Sequence, residues 1–60
     1  MYRIVVTKGK TAWYWKIVRN GRVLATSEMY SAHNRATKTA YKLLASFKQG
    51  HATLTEHVLP

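Results

Sequence analysis

Apolar and polar residues alternate through the first half of the chain in three short runs, over residues 2–7, 13–19 and 22–27. Alternation rich in aromatic and β-branched residues is typical of half-buried β-strands. Asn20-Gly21 separates the second and third runs, and this dipeptide best tolerates the positive φ angles of a type I′ turn. Gly9-Lys10 separates the first two runs and suits a type II′ turn. The pattern therefore predicts a three-stranded antiparallel meander.

The two predicted turns set the register of the meander independently of each other. Pairing outward from the first turn places Val6 opposite Trp13, and pairing outward from the second places Ile17 opposite Leu24. Both registers assign the same residues to one face, and agreement between separate local signals supports the assignment. That face comprises Tyr2, Ile4, Val6, Trp13, Trp15, Ile17, Leu24 and Thr26. We expect this face, with both tryptophans, to form the core.

The other face of the meander has an apolar centre, which the sequence places at Val5, Tyr14, Val18 and Val23. A sheet face open to water is normally more polar than this. A chain of 60 residues also buries only about 60% of the surface that it exposes when unfolded. Because the chain has no cysteine for disulfides, association of copies is the remaining way to gain stability. We therefore predict a homodimer with these four residues at its interface.

An apolar stripe at helical spacing follows the meander. It consists of Ala36, Ala40, Leu43, Leu44 and Phe47. Ser31 is the predicted N-cap of a helix over residues 32–49, with Gly50 as its left-handed stop. The last residues alternate weakly, which favours a short fourth strand over a loose tail, paired either within the chain or with a partner. The predicted fold is α+β: a βββα module over residues 1–50 with a C-terminal extension over residues 51–60.

Several local features combine into a pattern that is similar to a known family. Residues 9–32 contain an aromatic-x-aromatic strand, Asn-Gly, an apolar strand ending in Ser-Glu-x-Tyr, and a serine at the helix cap. In this order, and over residues 2–48, the chain resembles the YegP-like modules. The resemblance implies a βββα module that occurs in tandem or as a single-module homodimer. It implies no activity, because the members of this family are generally uncharacterised.

Positive charge dominates the composition, with ten Lys and Arg against two acidic residues and a net charge of +8. Such an excess favours polyanions, and nucleic acid before acidic proteins. The predicted register sets Arg3 opposite Lys16 and Arg19 opposite Arg22, and like charges opposed on a sheet are destabilising. The helix carries a further cluster with no interleaved acid. The predicted nucleic-acid or anion contacts are Lys8, Lys10, Arg19, Arg22, Arg35, Lys38 and Lys42.

Candidate catalytic chemistry is sparse. The carboxylate side chains are Glu28 and Glu56, and nothing in their spacing brings them together. His33, His51 and His57 lack the neighbours and spacing of a metal-ligand motif. We therefore expect no catalytic residue, no metal site and no cofactor. No apolar run resembles a signal peptide or approaches the roughly 20 residues of a membrane span, so we expect a cytoplasmic protein without such a span.

Two functions fit these features. The first is a small basic homodimer that contacts the nucleic-acid backbone without strong sequence preference, because few side chains on the sheet could read base edges. The alternative is a non-enzymatic protein-interaction module, an adaptor or inhibitor, that docks on an acidic protein.

Overall fold

The protein is a small α+β domain in which one helix packs against a four-stranded mixed sheet. The computed structural model describes residues 1–58, the last two of them by their backbone only. The elements in chain order are β1 (Tyr2–Lys8), β2 (Trp13–Arg19), β3 (Arg22–Thr26), α1 (His33–Ser46) and β4 (Ala52–Val58). The strand order across the sheet is β3-β2-β1-β4, with β1 antiparallel to β2 and parallel to β4.

The turn between β2 and β3 is the type I′ turn that the sequence predicts. Its two central residues both have positive φ angles, 51° at Asn20 and 76° at Gly21, as this turn type requires. The turn closes with Arg19 opposite Arg22, as predicted. The Asn20-Gly21 dipeptide therefore determines how β2 and β3 are connected and paired next to the turn.

A β-bulge farther along the same hairpin makes the predicted pairing of Ile17 with Leu24 wrong. Val18 pairs with Val23, but Ile17 pairs with Ala25, so Leu24 is an extra residue on β3. Because directly opposed residues share a face of an antiparallel sheet, the residues after the bulge lie on the opposite faces from those predicted. Leu24 consequently misses the core and stays 54% exposed.

The loop between β1 and β2 is wider than predicted. The Gly9 N–H donates a hydrogen bond to the Ala12 carbonyl (2.8 Å), and Gly9 lacks the positive φ of a type II′ turn. The loop has four residues instead of two, so Val6 lies opposite Trp15 rather than Trp13. Because the shift is an even number of residues, every side chain of β1 and β2 keeps its predicted face.

The helix is shorter at both ends than the predicted residues 32–49. It starts after Ala32 rather than Ser31, and no side chain caps it. At the other end Phe47 is already extended, and the left-handed Gly50 (φ 84°) belongs to a separate turn, which the His51 N–H closes on the Lys48 carbonyl (2.9 Å). Within residues 1–58, no helix has the length and apolar character that crossing a membrane requires.

The core lies where β1 meets α1. Ile4 and Val6 have no exposed surface, and neither have Ala36 and Ala40 on the facing side of the helix. The small alanine side chains allow the helix to approach the sheet closely. Larger residues surround this contact: Trp13, Trp15, Tyr30, Leu43, Leu44, Phe47 and Leu54. The predicted apolar stripe of the helix is thereby confirmed.

The fourth strand belongs to the same sheet. It lies parallel to β1, with Leu54 opposite Ile4, and α1 supplies the crossover that a parallel pair needs. The strand predicted within residues 51–60 is therefore confirmed over Ala52–Val58, paired within the chain. Residues 59–60 lie outside the described part. The meander predicted from the sequence thus forms three of the four strands of a mixed sheet.

We predict that Ile4→Ala lowers the free energy of unfolding by about 2–5 kcal/mol, because it leaves a cavity in a site that has no exposed surface. Urea unfolding followed by tryptophan fluorescence measures the change. Met29→Ala is the control, since Met29 is 66% exposed and its truncation should cost about 0.5 kcal/mol or less. Equal losses in the two variants would contradict the position of the core.

Candidate nucleic-acid interface

Three cations form a row on the solvent face of α1, which we call the helix ridge. It consists of Arg35, Lys38 and Lys42, all of them exposed. Because Ala36 and Ala40 are buried against the sheet, the ridge must point away from it. A rise of 1.5 Å per residue gives the ridge a length of about 10.5 Å. The structure therefore brings three of the seven predicted anion-binding residues together.

A second group of cations, the tip pair, lies at the β2–β3 turn. Arg19 and Arg22 are opposite each other and exposed. The Arg19 Nη1 donates to the Tyr2 hydroxyl (3.2 Å), and its guanidinium lies 5.1 Å from the centre of the Tyr2 ring. The Tyr2 ring packs in turn on Phe47, with 5.1 Å between ring centroids. These contacts place the tip pair near the C-terminal end of α1.

The third group, the loop pair, comprises Lys8 and Lys10 and lies at the other end of the sheet. The Lys8 Nζ lies 5.7 Å from the ring centroid of Trp13, and Trp13 packs edge-on against His33, at 4.4 Å. Since His33 begins α1, the loop pair is near the N-terminal end of the helix. The length of β2, from Trp13 to Arg19, separates the loop pair from the tip pair by about 20 Å.

The helix therefore runs from the loop pair to the tip pair, with the helix ridge between them. Nine of the ten Lys and Arg residues are exposed. Among the described residues, none of the ten forms a salt bridge with a carboxylate. The positive charge is thus uncompensated within this part of the chain, and it is available to an external anion.

Two cations on the outer sheet face were not among the predicted contacts. Arg3 lies opposite Val18 and Lys16 lies opposite Val5, so the predicted opposition of Arg3 and Lys16 is wrong. The four residues line one shallow depression, in which the two cations are diagonal neighbours. A diagonal pair is farther apart than a directly opposed pair, which reduces its repulsion. The sequence places both cations on this face. The predicted pairing between β1 and β2 was wrong because the loop that joins them has four residues instead of two.

The predicted dimer interface lies on this outer face. Val5 and Val18 are each only 8% exposed, and Tyr14 is partly buried. Val23 is 54% exposed and is the member with most apolar surface left to cover. These four residues share a face, as the sequence predicts, but they offer a second molecule little apolar area.

The side-chain contact between His33 and Glu56 was not foreseen from the sequence. His33 Nε2 lies 2.8 Å from Glu56 Oε1, which connects the start of α1 to the edge strand β4. In the described part of the chain, no serine or threonine hydroxyl bonds to the His33 ring. Nor do three His, Cys, Asp or Glu side chains gather there as metal ligands.

We predict that the coupling energy of His33 and Glu56 is about 1 kcal/mol or less, because even charged pairs between exposed side chains are weak. Their side chains are 44% and 45% exposed. A double-mutant cycle of His33→Gln and Glu56→Gln, read by thermal unfolding, measures this energy. A coupling above about 2 kcal/mol would contradict the exposed character of the pair.

No family model, curated protein or solved structure matches the chain in comparisons with known proteins. The YegP-like resemblance accordingly remains a prediction from the sequence. The placement of charge, backbone edges and aromatic side chains is therefore the basis for assigning a function.

Proposed function

We propose that the protein is a small, basic, homodimeric module that binds the nucleic-acid backbone without strong sequence preference and is not an enzyme. The observation that carries the proposal is the helix ridge: three exposed cations on one helix face, with no acidic residue anywhere on the helix. The loop pair and the tip pair extend the positive charge beyond both ends of this row.

The dimensions of the ridge suit a phosphate backbone. Duplex DNA carries one phosphate per 3.4 Å of axis on each strand, so a row of cations about 10.5 Å long is long enough to contact more than one phosphate. Arginine and lysine bind phosphate oxygens without reading sequence. The centre of the outer sheet face offers valine and threonine rather than the amide groups that recognise base edges. These features support backbone contact with weak sequence preference.

The homodimer part of the proposal has a separate basis. The fully buried core is small, and both edges of the sheet are open within the described residues. A second copy would also double the number of cations that one nucleic-acid molecule could contact, and so raise its apparent affinity. The YegP-like resemblance points in the same direction.

The ridge is tested by fluorescence anisotropy with a random-sequence DNA duplex over a salt series. The variant Arg35→Gln/Lys42→Gln should keep the fold, because glutamine is nearly as good a helix former as lysine. The slope of log affinity against log salt should fall by about 1.8, which is about 0.9 for each of the two phosphates that the variant no longer neutralises.

Arg3→Gln/Lys16→Gln is the matched control, since it also removes one arginine and one lysine but from the outer sheet face. We expect its slope to stay at the wild-type value. Equal reductions in both variants would show a dependence on net charge alone and contradict the ridge. If the wild type shows no salt-dependent binding to nucleic acid, docking on an acidic protein becomes the better account.

A further inference from the structure

Tyr41 is the one exposed aromatic residue in the described part of the chain. Of the seven Phe, Trp and Tyr residues, the other six are partly buried, whereas Tyr41 is 58% exposed. Within residues 1–58, Tyr41 packs on no other aromatic ring. Aromatic rings contribute a large apolar area and a π-face to the surface that they contact. The fold leaves this ring available to a ligand.

Tyr41 lies beside the helix ridge, on the side of α1 that faces solvent. It follows Lys38 by three residues, and side chains at this spacing are neighbours on a helix, with about 5–6 Å between their Cβ atoms. It also directly precedes Lys42. At 3.6 residues per turn, Tyr41 is about 140° around the helix from the buried Ala36. A ligand bound along the ridge therefore meets the Tyr41 ring.

The neighbours of Tyr41 along the helix leave its ring uncovered. The residues one turn away on the same face are Thr37 and Ala45, and both have short side chains. The Thr37 hydroxyl is turned to the backbone, where it donates to the His33 carbonyl (3.0 Å). Within the described residues, no cation of the ridge lies over an aromatic ring. The ring can therefore stack on a flat group from outside the chain.

We propose that this surface binds single-stranded nucleic acid, with phosphates on the helix ridge and an unpaired base stacked on the Tyr41 ring. In a duplex the bases are stacked on one another, so a side chain outside the stack reaches only their edges and the backbone. A single strand can turn a base onto an aromatic ring. The inference rests on the nucleic-acid part of the proposed function and names the form of nucleic acid that is bound.

Stacking also agrees with weak sequence preference, because every base has a π-face. A positively charged surface that follows the backbone, combined with an aromatic ring for the bases, is the combination that single-strand binders use. The helix ridge supplies the first part and Tyr41 the second. The two parts lie on one helix, so their relative position is fixed before the ligand binds.

Charge argues against a second copy of the chain as the occupant of this surface. Tyr41 lies among cations, and the helix has no acidic residue. Two copies that met through this surface would set like charges against each other. A polyanion instead meets opposite charge on the ridge, next to the exposed ring.

Tyr14, the aromatic residue on the outer sheet face, is less suited to stacking. It is partly buried, and a Cβ atom built at Gly9 would lie 3.9 Å from its Cε1 atom. The loop between β1 and β2 therefore lies close to this ring. The ring of Tyr41 is the more accessible of the two.

Fluorescence anisotropy with two DNA single strands of equal length tests the stacked base. One strand consists of thymidine, and the other has abasic sites in place of every base. Tyr41→Ala should raise the Kd for the thymidine strand about fivefold or more. It should leave the Kd for the abasic strand unchanged, because that strand has the same phosphates and no base. The helix should be retained, since alanine is the best helix former.

Tyr41→Phe is the matched control, because it keeps the ring and removes only the hydroxyl. We expect it to bind both strands as the wild type does. An RNA strand of uridine is measured beside the DNA, and a loss of affinity in Tyr41→Ala with either sugar supports the stacked base.

The salt series separates stacking from phosphate contact. Tyr41→Ala should lower the affinity for the thymidine strand by the same factor at each salt concentration, because tyrosine neutralises no phosphate. Arg35→Gln/Lys42→Gln should instead reduce the slope by about 1.4 on this strand, which is about 0.7 for each phosphate no longer neutralised.

The stacked base is overturned if Tyr41→Ala binds the thymidine and uridine strands as tightly as the wild type. It is overturned as well if Tyr41→Ala weakens binding of the abasic strand by the same factor, or if Tyr41→Phe loses as much affinity as Tyr41→Ala. If the ridge variant still lowers the salt slope on duplex DNA in these cases, backbone binding stands without the stacked base. A wild type with no salt-dependent binding to any of these strands would overturn both proposals.

Discussion

The close contact between β1 and two alanines of the helix is the constraint on which the rest of this structure depends. Ile4 and Val6 are fully buried against Ala36 and Ala40, and β1 pairs with a strand on each side. A small chain has few residues with which to exclude water, so this contact carries much of the hydrophobic stabilisation. It also fixes which face of the helix is turned to solvent, and hence where the helix ridge points.

The distribution of charge follows from the same geometry. With the apolar stripe of α1 directed at the sheet, every cation of the helix is directed outward, where no acidic residue of the helix opposes it. One of the two glutamates is engaged by His33, and the other lies beside an edge strand that the helix does not contact. Charge that destabilises the isolated chain by self-repulsion is therefore concentrated where a polyanion can bind.

Interactions that are local in the chain could be predicted from the sequence. The preference of Asn20 and Gly21 for positive φ was enough to predict the turn and the opposition of the tip pair. Helical spacing was enough to predict the buried stripe and the outward ridge. Even where the first loop proved longer than expected, the faces of β1 and β2 were right, because a shift of two residues preserves the alternation.

Only the tertiary structure decided the features that depend on distant residues. The bulge opposite Ile17 exchanges the sheet faces of the residues at the end of β3, although no local sequence pattern predicts this bulge. The parallel pairing of β4 with β1 joins segments about 50 residues apart, and it alone brings Glu56 to His33. By itself the sequence determined turns, periodicity and net charge, since these depend on a residue and its near neighbours. Strand order, register past the bulge and the pairing of charges required the whole chain to be packed, because non-local contacts form only when the entropy of closing long loops is offset by burial.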